Sequence, residues 1–412
     1  MKSPYFKKES TAPKYIGFLI LIIFVFILGW NVGVNHTYRA EGINAQNTVI
    51  SPYGEAEMVN MQLFWDTWNI LSSKYVDPHT LDAQEMIFGA IEGMVDALGD
   101  PYTTFMTPKE NKEFQDSLEG TLEGIGAELT LRHGLLTVIS PLKNSPAKEA
   151  GLQPEDVIYM VDGQLTDEMT LEQAVMRIRG EKGTAVVLTI LRKDYNEPID
   201  ITIVRDTINI NSVDWEMEGD IAIIEINQFG NNTKTEFSKA INDVLNQRPI
   251  GIVLDLRYNG GGYLDGAVDI VSEFIEEGEV VTIKKRNPEE DEIIYVNGQA
   301  RVVNTPLVVL INKGSASASE IVAGAIQDHE RGIIIGETSF GKGTVQEVEN
   351  LIGGSSLRVT IAKWFTPSGT NISEVGITPD IIVERTSDDY ENDDDPQLDA
   401  AIEYIQNGTQ QD

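Results

Sequence analysis

From Thr207 to about Val383 the chain alternates apolar runs with segments of helical periodicity, and no other feature limits its fold as strongly. The runs "DIAIIEINQFG", "IGIVLDLR", "PLVVLIN" and "RGIIIGE" read as strands. Between them "TKTEFSKAINDVLNQ", "LDGAVDIVSEFIEEG" and "SASASEIVAGAIQD" read as helices. Strands that are apolar throughout, joined by helices, belong in a parallel sheet whose crossovers cover its faces. Two of the connecting turns are rich in small residues: "YNGGG" and "NKGSASASE".

The region from about Gly120 to Arg192 has a different pattern, short β-runs around one amphipathic helix. "GIGAELTL" is a Gly-rich turn entering a strand, and "TLEQAVMRIRG" carries Leu171, Ala174, Val175 and Ile178 on one helical face. With "SPAKEAGLQPEDVIYMVDG" between them, this order resembles a PDZ domain. The resemblance implies that a peptide adds as a strand to a sheet edge. Its C-terminal carboxylate would be captured by backbone amides of Gly124, Ile125, Gly126 and Ala127.

Tyr15 to Val34 contains no charged residue and has about the ~20 apolar residues a bilayer span requires. Lys2, Lys7, Lys8 and Lys14 precede it against a single acid, Glu9, so the positive-inside rule puts residues 1–14 in the cytoplasm and the rest outside. A cleaved signal peptide is the competing reading; the length of the run and the lack of a nearby small-x-small site favour a retained anchor. Residues 35–56 read as a linker. Two amphipathic helices are expected at Met58–Lys74 and Leu81–Leu98, the first with Met61, Phe64, Trp65, Trp68 and Leu71 for packing or a dimer contact. "LGDPYTTFMTPKE" reads as a turn-rich hinge. A net charge of −34 argues against nucleic acid as a partner, and the absence of cysteine excludes thiolate chemistry and Cys-ligated metals.

"GETSFGKGTVQ", Gly336 to Gln346, nearly matches a nucleotide-binding loop, but Gly343 replaces the required hydroxyl and "GTVQ" favours strand over helix. Lys342 then needs another use. The serines of "GSASASE" follow a strand and a turn, and a serine nucleophile needs a base. None of the four histidines, His36, His79, His133 and His329, is an obvious partner; His329 is 12 residues beyond Ser317, about 18 Å along a helix. A desolvated lysine can serve instead, and Lys342, between glycines after an apolar strand, is the better candidate.

With "GAIEGMVDALGDPYTTFMTPKE", "DLRYNGGG", "GSASASEI", "GETSFGKGTVQ" and "FTPSG…GITPDI" together, the sequence resembles the C-terminal processing peptidases, Ser-Lys enzymes of peptidase family S41, from about Met58 to Val383. The resemblance implies Ser317 as nucleophile, Lys342 as general base and Gln346 as its orienting partner. It implies an oxyanion hole from Gly261 or Gly262 together with Ala318, and a possible gating contact from Arg179. If Lys342 and Gln346 share a strand, their even spacing puts both on one face. Ser315 and Ser319 read as structural.

The fold expected is multidomain α/β. Helices over 57–108 would precede a PDZ domain over 109–195, a parallel-sheet peptidase core of the ClpP/crotonase type over 196–384 and an acidic tail over 385–412, in which "PQLDAAIEYIQ" could form a last helix. No metal or cofactor is implied. Expected partners are protein substrates with apolar C-termini, the membrane through residues 15–34, a second copy of the chain, and an adaptor or activator protein. The rival reading is a membrane-tethered PDZ adaptor with an inactive protease fold, against which the intact Ser317, Lys342 and Gln346 argue.

Overall fold

The computed structural model describes residues 61–409 apart from positions 133, 143–144, 168, 170, 194, 196, 299 and 393, together with segments 48–50 and 56–58. The expected membrane span Tyr15–Val34 lies outside the described residues, as do His36 and His133. No helix among the described residues is long and apolar enough to cross a membrane. The chain divides into two compact units, residues 1–87 and 88–412.

Both expected N-terminal helices form, α1 at Gln62–Lys74 and α2 at Ala83–Asp96. On α1, Leu63, Trp65 and Ile70 are exposed. Strand β1 (Thr104–Met106) and helix α3 (Pro108–Leu118) follow where the sequence suggested only a hinge. "TPKE" is the reason for the helix. The Thr107 N–H donates to Glu110 Oε2 (2.9 Å), the Glu110 N–H donates back to Thr107 Oγ1 (3.4 Å), and Pro108 occupies the first turn, where no N–H is needed.

The next strands are β2 (Thr121–Gly124), β3 (Ala127–Arg132), β4 (Leu135–Pro141), β5 (Val157–Val161), β6 (Ala185–Leu191) and β7 (Ile199–Val204), with helix α4 (Leu171–Ile178) between β5 and β6. An antiparallel sheet in the order β7-β6-β5-β4-β3 and α4 enclose Leu136, Val138, Ile158, Ala174, Ile178, Leu188 and Ile190. Arg205 closes the helix end, donating to the carbonyls of Arg177 (3.0 Å) and Ile178 (2.8 Å), which no intrahelical N–H can reach. Strand β8 (Asp206–Asn209) returns to pair with β2.

The core follows. Strands β9 (Val213–Glu218), β10 (Ile221–Ile226), β11 (Gly251–Asp255), β14 (Leu307–Ile311), β15 (Ile333–Gly336) and β18 (Ile381–Ile382) form one sheet in that order. All its pairings are parallel except β9 with β10. Helices α5 (Thr233–Gln247), α6 (Leu264–Phe274) and α7 (Ala318–Asp328) make the crossovers at the expected positions. A second sheet, antiparallel, runs β13 (Glu292–Tyr295), β12 (Glu279–Lys285), β17 (Ser356–Phe365), β16 (Thr344–Asn350), and β1 pairs with β17. The last helix forms as α8, Pro396–Thr409, and buries Ala401 and Ile405 with the sheet residues Ile221, Val253 and Val308. Helix α8, the last helix the sequence suggested, is thus part of the core.

Candidate active site

Three turns at the carboxyl ends of parallel strands meet here, where α/β sheets place their sites. Ser317 is the residue before α7 and has φ 55° and ψ −113°, a backbone conformation that costs a non-glycine residue of order 1–3 kcal/mol. The surrounding hydrogen bonds hold it there. Its N–H donates to Glu320 Oε2 (2.8 Å), the Ala316 N–H to the Asn259 carbonyl (3.0 Å), and Ser319 Oγ to the same carbonyl (2.8 Å). Ser315 Oγ donates to the Leu256 carbonyl at 2.8 Å, so both flanking serines tie this turn to the glycine turn.

That glycine turn must approach closely, and it does. A Cβ on Gly261, whose φ is +97°, would lie 2.8 Å from Ser317 Cβ and 2.9 Å from the Ala318 nitrogen. The Gly261 N–H is already taken, by Asn259 Oδ1 at 2.8 Å. Among the described residues no acceptor takes the Gly262 or Ala318 N–H. The turn is itself fixed by Arg257, which meets both Asp255 oxygens and reaches Asp395 (2.8 Å) ahead of α8.

Lys342 comes from the third turn. It does not share a strand with Gln346 as the spacing suggested: β16 begins at Thr344, and a register shift separates Val345 from Gln346. The cause is the buried carboxylate of Glu320, which draws the Gly341 N–H (2.7 Å), the Lys342 N–H (3.0 Å) and Ser339 Oγ (2.6 Å) to itself and away from any strand ladder. Trp364 Nε1 donates to the Lys342 carbonyl at 2.9 Å. The lysine side chain runs over the Tyr102 ring, with Nζ 5.2 Å from its centroid. Burial, and the charge of Arg358, lower its pKa to about 8 against the pull of Glu320 and Asp100. No hydrogen bond links Lys342 to Ser317 or Gln346 in this state; the Gln346 amide donates instead to Thr344 Oγ1 (2.9 Å) and Thr360 Oγ1 (3.2 Å).

Ser317, Ala318, Gly261, Gly262, Lys342 and Gln346 nevertheless line one cleft of about 660 Å³, with Phe114 and Leu118 from α3 and Arg358 from β17. His329 is absent from it. That residue follows α7 at the end remote from Ser317 and meets the Glu279 carbonyl at 2.7 Å. The PDZ residues lie elsewhere. Gly124 pairs with Asp206, Ile125 is buried, and Gly126 has φ +71°. Arg179 lines a second pocket with Lys109, Lys112 and Met176.

Tyr102, Glu320 and Arg358 escaped the sequence reading. Glu320 carried a signal, since an acid three residues after a serine is a capping box. Tyr102 and Arg358 carried none, because strand pairings of β1 and β17 bring them in.

The peptidase family S41 pattern matches residues 220–383, a PDZ domain pattern 137–192, and the N-terminal domain of the activating protease CtpB residues 31–110. A carboxy-terminal-processing protease of Bartonella bacilliformis is 41% identical over 78% of this chain and 74% of its own length. A probable CtpA-like serine protease of Staphylococcus epidermidis is 35% identical over 89% and 73%. Among solved structures, the photosystem II D1 C-terminal processing protease superposes with a TM-score of 0.51 at 28% identity, over 79% of this chain and 93% of that one. A strained serine, a half-buried lysine and a glycine turn in one cleft accord with this kinship, and the chain belongs to the carboxy-terminal-processing serine proteases of peptidase family S41.

Proposed function

We propose that the chain is an endopeptidase working through Ser317 and Lys342, with Gln346 orienting the lysine. The observation that carries this reading is the lysine itself: half-buried, without a carboxylate partner at hydrogen-bonding distance, its pKa lowered to about 8, in the same cleft as a strained serine. In the reaction the lysine side chain leaves the Tyr102 ring and Nζ meets Ser317 Oγ across the cleft they both line. Neutral Nζ takes the hydroxyl proton as Oγ bonds to the scissile carbonyl carbon. The oxyanion is received by the unpartnered N–H groups of Gly262 and Ala318; Gly261 N–H joins them after releasing Asn259. The Lys342 ammonium then protonates the leaving amine as the C–N bond breaks. Water, deprotonated by Lys342, cleaves the ester and restores Ser317.

Substrates are extracytoplasmic proteins caught by apolar C-termini at Gly124–Ala127. The PDZ match and the left-handed Gly126 support this. Tyr15–Val34 tethers the enzyme with its catalytic part outside the cell, on the grounds of its length and the preceding lysines. The exposed Leu63, Trp65 and Ile70 of α1 support a homodimer. The missing Lys342–Ser317 contact fits an enzyme awaiting a bound tail, an adaptor or an activator, with Arg179 beside Gly124 as a gating contact. The crossover helices on a parallel sheet favour the ClpP/crotonase type.

The test incubates the protein with an unstructured substrate ending in an apolar tail and follows fragments by mass spectrometry. Cleavage by the parent should vanish in Ser317→Ala and in Lys342→Ala and persist in His329→Ala. Cleavage surviving in Lys342→Ala would move the base elsewhere.

A further inference from the structure

The cleft contains a second cation whose role the chemistry above leaves open. Arg358 stands on β17 opposite Val348 of β16, and both line the cleft. Its guanidinium lies over the Phe114 ring, 5.8 Å from the centroid, and its Nε is buried without a hydrogen-bond partner. Among the described residues no carboxylate or carbonyl meets it. Other enclosed arginines among the described residues have partners. Arg192 pairs with Asp156, Arg257 with Asp255 and Asp395, and Arg301 with Glu273. Arg205 and Arg331 are held by backbone carbonyls. In a chain with 65 acids against 31 bases, an arginine without an acid is not for want of candidates.

An enclosed cation with unspent donors is costly unless something completes it. Among the described residues the acid lining the cleft is Asp265, which forms no bond to Arg358. A guanidinium presents a planar fork that matches a carboxylate with two parallel hydrogen bonds, and an aromatic face below it keeps the fork flat and dry.

We propose that Arg358, seated on Phe114, is a carboxylate-binding subsite in the floor of the cleft, and that it fixes the substrate by an acidic side chain or by its free C-terminus. The inference rests on the cleft being the peptidase site. It adds a selectivity that apolar-tail capture by the PDZ domain does not supply.

The experiment is a cycle on the full-length chain carrying Ser317→Ala, with and without Arg358→Met, read by fluorescence anisotropy. Labelled peptides span a substrate's cleavage site. They differ only in Glu against Gln at each position, and in free acid against amide at the terminus. One carboxylate should tighten binding about tenfold or more when Arg358 is present and not when it is methionine. The peptide showing that difference identifies the source. Carboxylate capture by the PDZ domain cancels in the cycle, because Arg358→Met does not touch it. Arg358→Lys, which keeps the charge and loses the fork, should retain a smaller part of the preference. Thermal melting of the Arg358→Met protein checks that it folds. A preference equal in both backgrounds, or no preference in either, overturns the subsite. Neither outcome bears on Ser317 and Lys342, which stand or fall on the cleavage assay.

Discussion

Lys342 is the residue on which the chemistry turns, and its environment sets a pH dependence. The groups facing it are Arg358 on β17, Glu320 on α7, and Asp100 and Tyr102 ahead of β1. Burial and Arg358 lower its pKa from 10.5 to about 8, so kcat/KM should rise with pH through about 8 as the neutral amine forms. Arg358→Met should move that limb to higher pH. The same shift bears on stability. The folded value lies below the unfolded one, so between about 8 and 10.5 the unfolded chain binds more protons and stability rises with pH. Below pH 8 both states carry the proton and the full cost is present, less than roughly 3.5 kcal/mol at ~1.4 kcal/mol per pH unit because solvent still screens the half-buried amine. Lys342→Met should therefore be inactive yet melt at a higher temperature at pH 7, an advantage that shrinks as the pH approaches 10. An unchanged or lower melting temperature at pH 7 would mean that the lysine is not desolvated as described. The type of this residue and its glycine neighbours were visible in the sequence. Its partners were not, because Tyr102 and Arg358 stand 240 and 16 positions away along the chain and arrive by strand pairing.

Among the elements, α7 does more than carry the nucleophile. One carboxylate in its first turn, Glu320, holds Ser317 through Oε2 and the lysine turn through both oxygens. It therefore sets the distance between nucleophile and base. Glu320→Gln keeps the shape but must turn its amide NH₂ toward one pair of donors: Ser317 and Lys342, or Ser339 and Gly341. Each buried donor left unmatched costs about 1–3 kcal/mol. We expect kcat to fall tenfold or more with tail binding unchanged, and the melting temperature to fall. Full kcat in Glu320→Gln would show that the two turns hold their spacing without it. The positions of α5, α6 and α7 were plain from periodicity because each packs an apolar stripe on the sheet, though α6 stops at Phe274 and α7 starts only at Ala318. Helix α3 was signalled by "TPKE" but masked by the Asp-Pro and Thr-rich stretch before it. Its Phe114 faces the cleft while Lys109 and Lys112 face the second pocket, a division that needs both surfaces in place to be seen.

The parallel sheet is covered at its back by α8. Ile405 of α8 is buried against Gly251, where a side chain on the strand would not fit. Asp395, just ahead of α8, binds the Arg257 that anchors the glycine turn. Ile405→Ala should cost about 2–4 kcal/mol and lower the main thermal transition, with peptidase activity declining as the glycine turn loosens. A melting curve unchanged by Ile405→Ala would mean that α8 is not part of the cooperative core.

What the amino-acid order fixed was local or repetitive: apolar runs that cannot lie in water, helical stripes that must face them, glycine-rich turns, and a small-residue turn with a lysine beyond it. Those patterns need no knowledge of distant partners. What the three-dimensional arrangement added was everything that depends on distance across the chain. That includes the meeting of the glycine and serine turns, the carboxylate of Glu320 spanning two loops, the lysine resting over Tyr102 instead of reaching Ser317, and an arginine left without an acid. Such contacts arise from strand order and register, which pattern alone leaves open, so they become legible only once the sheets are assembled.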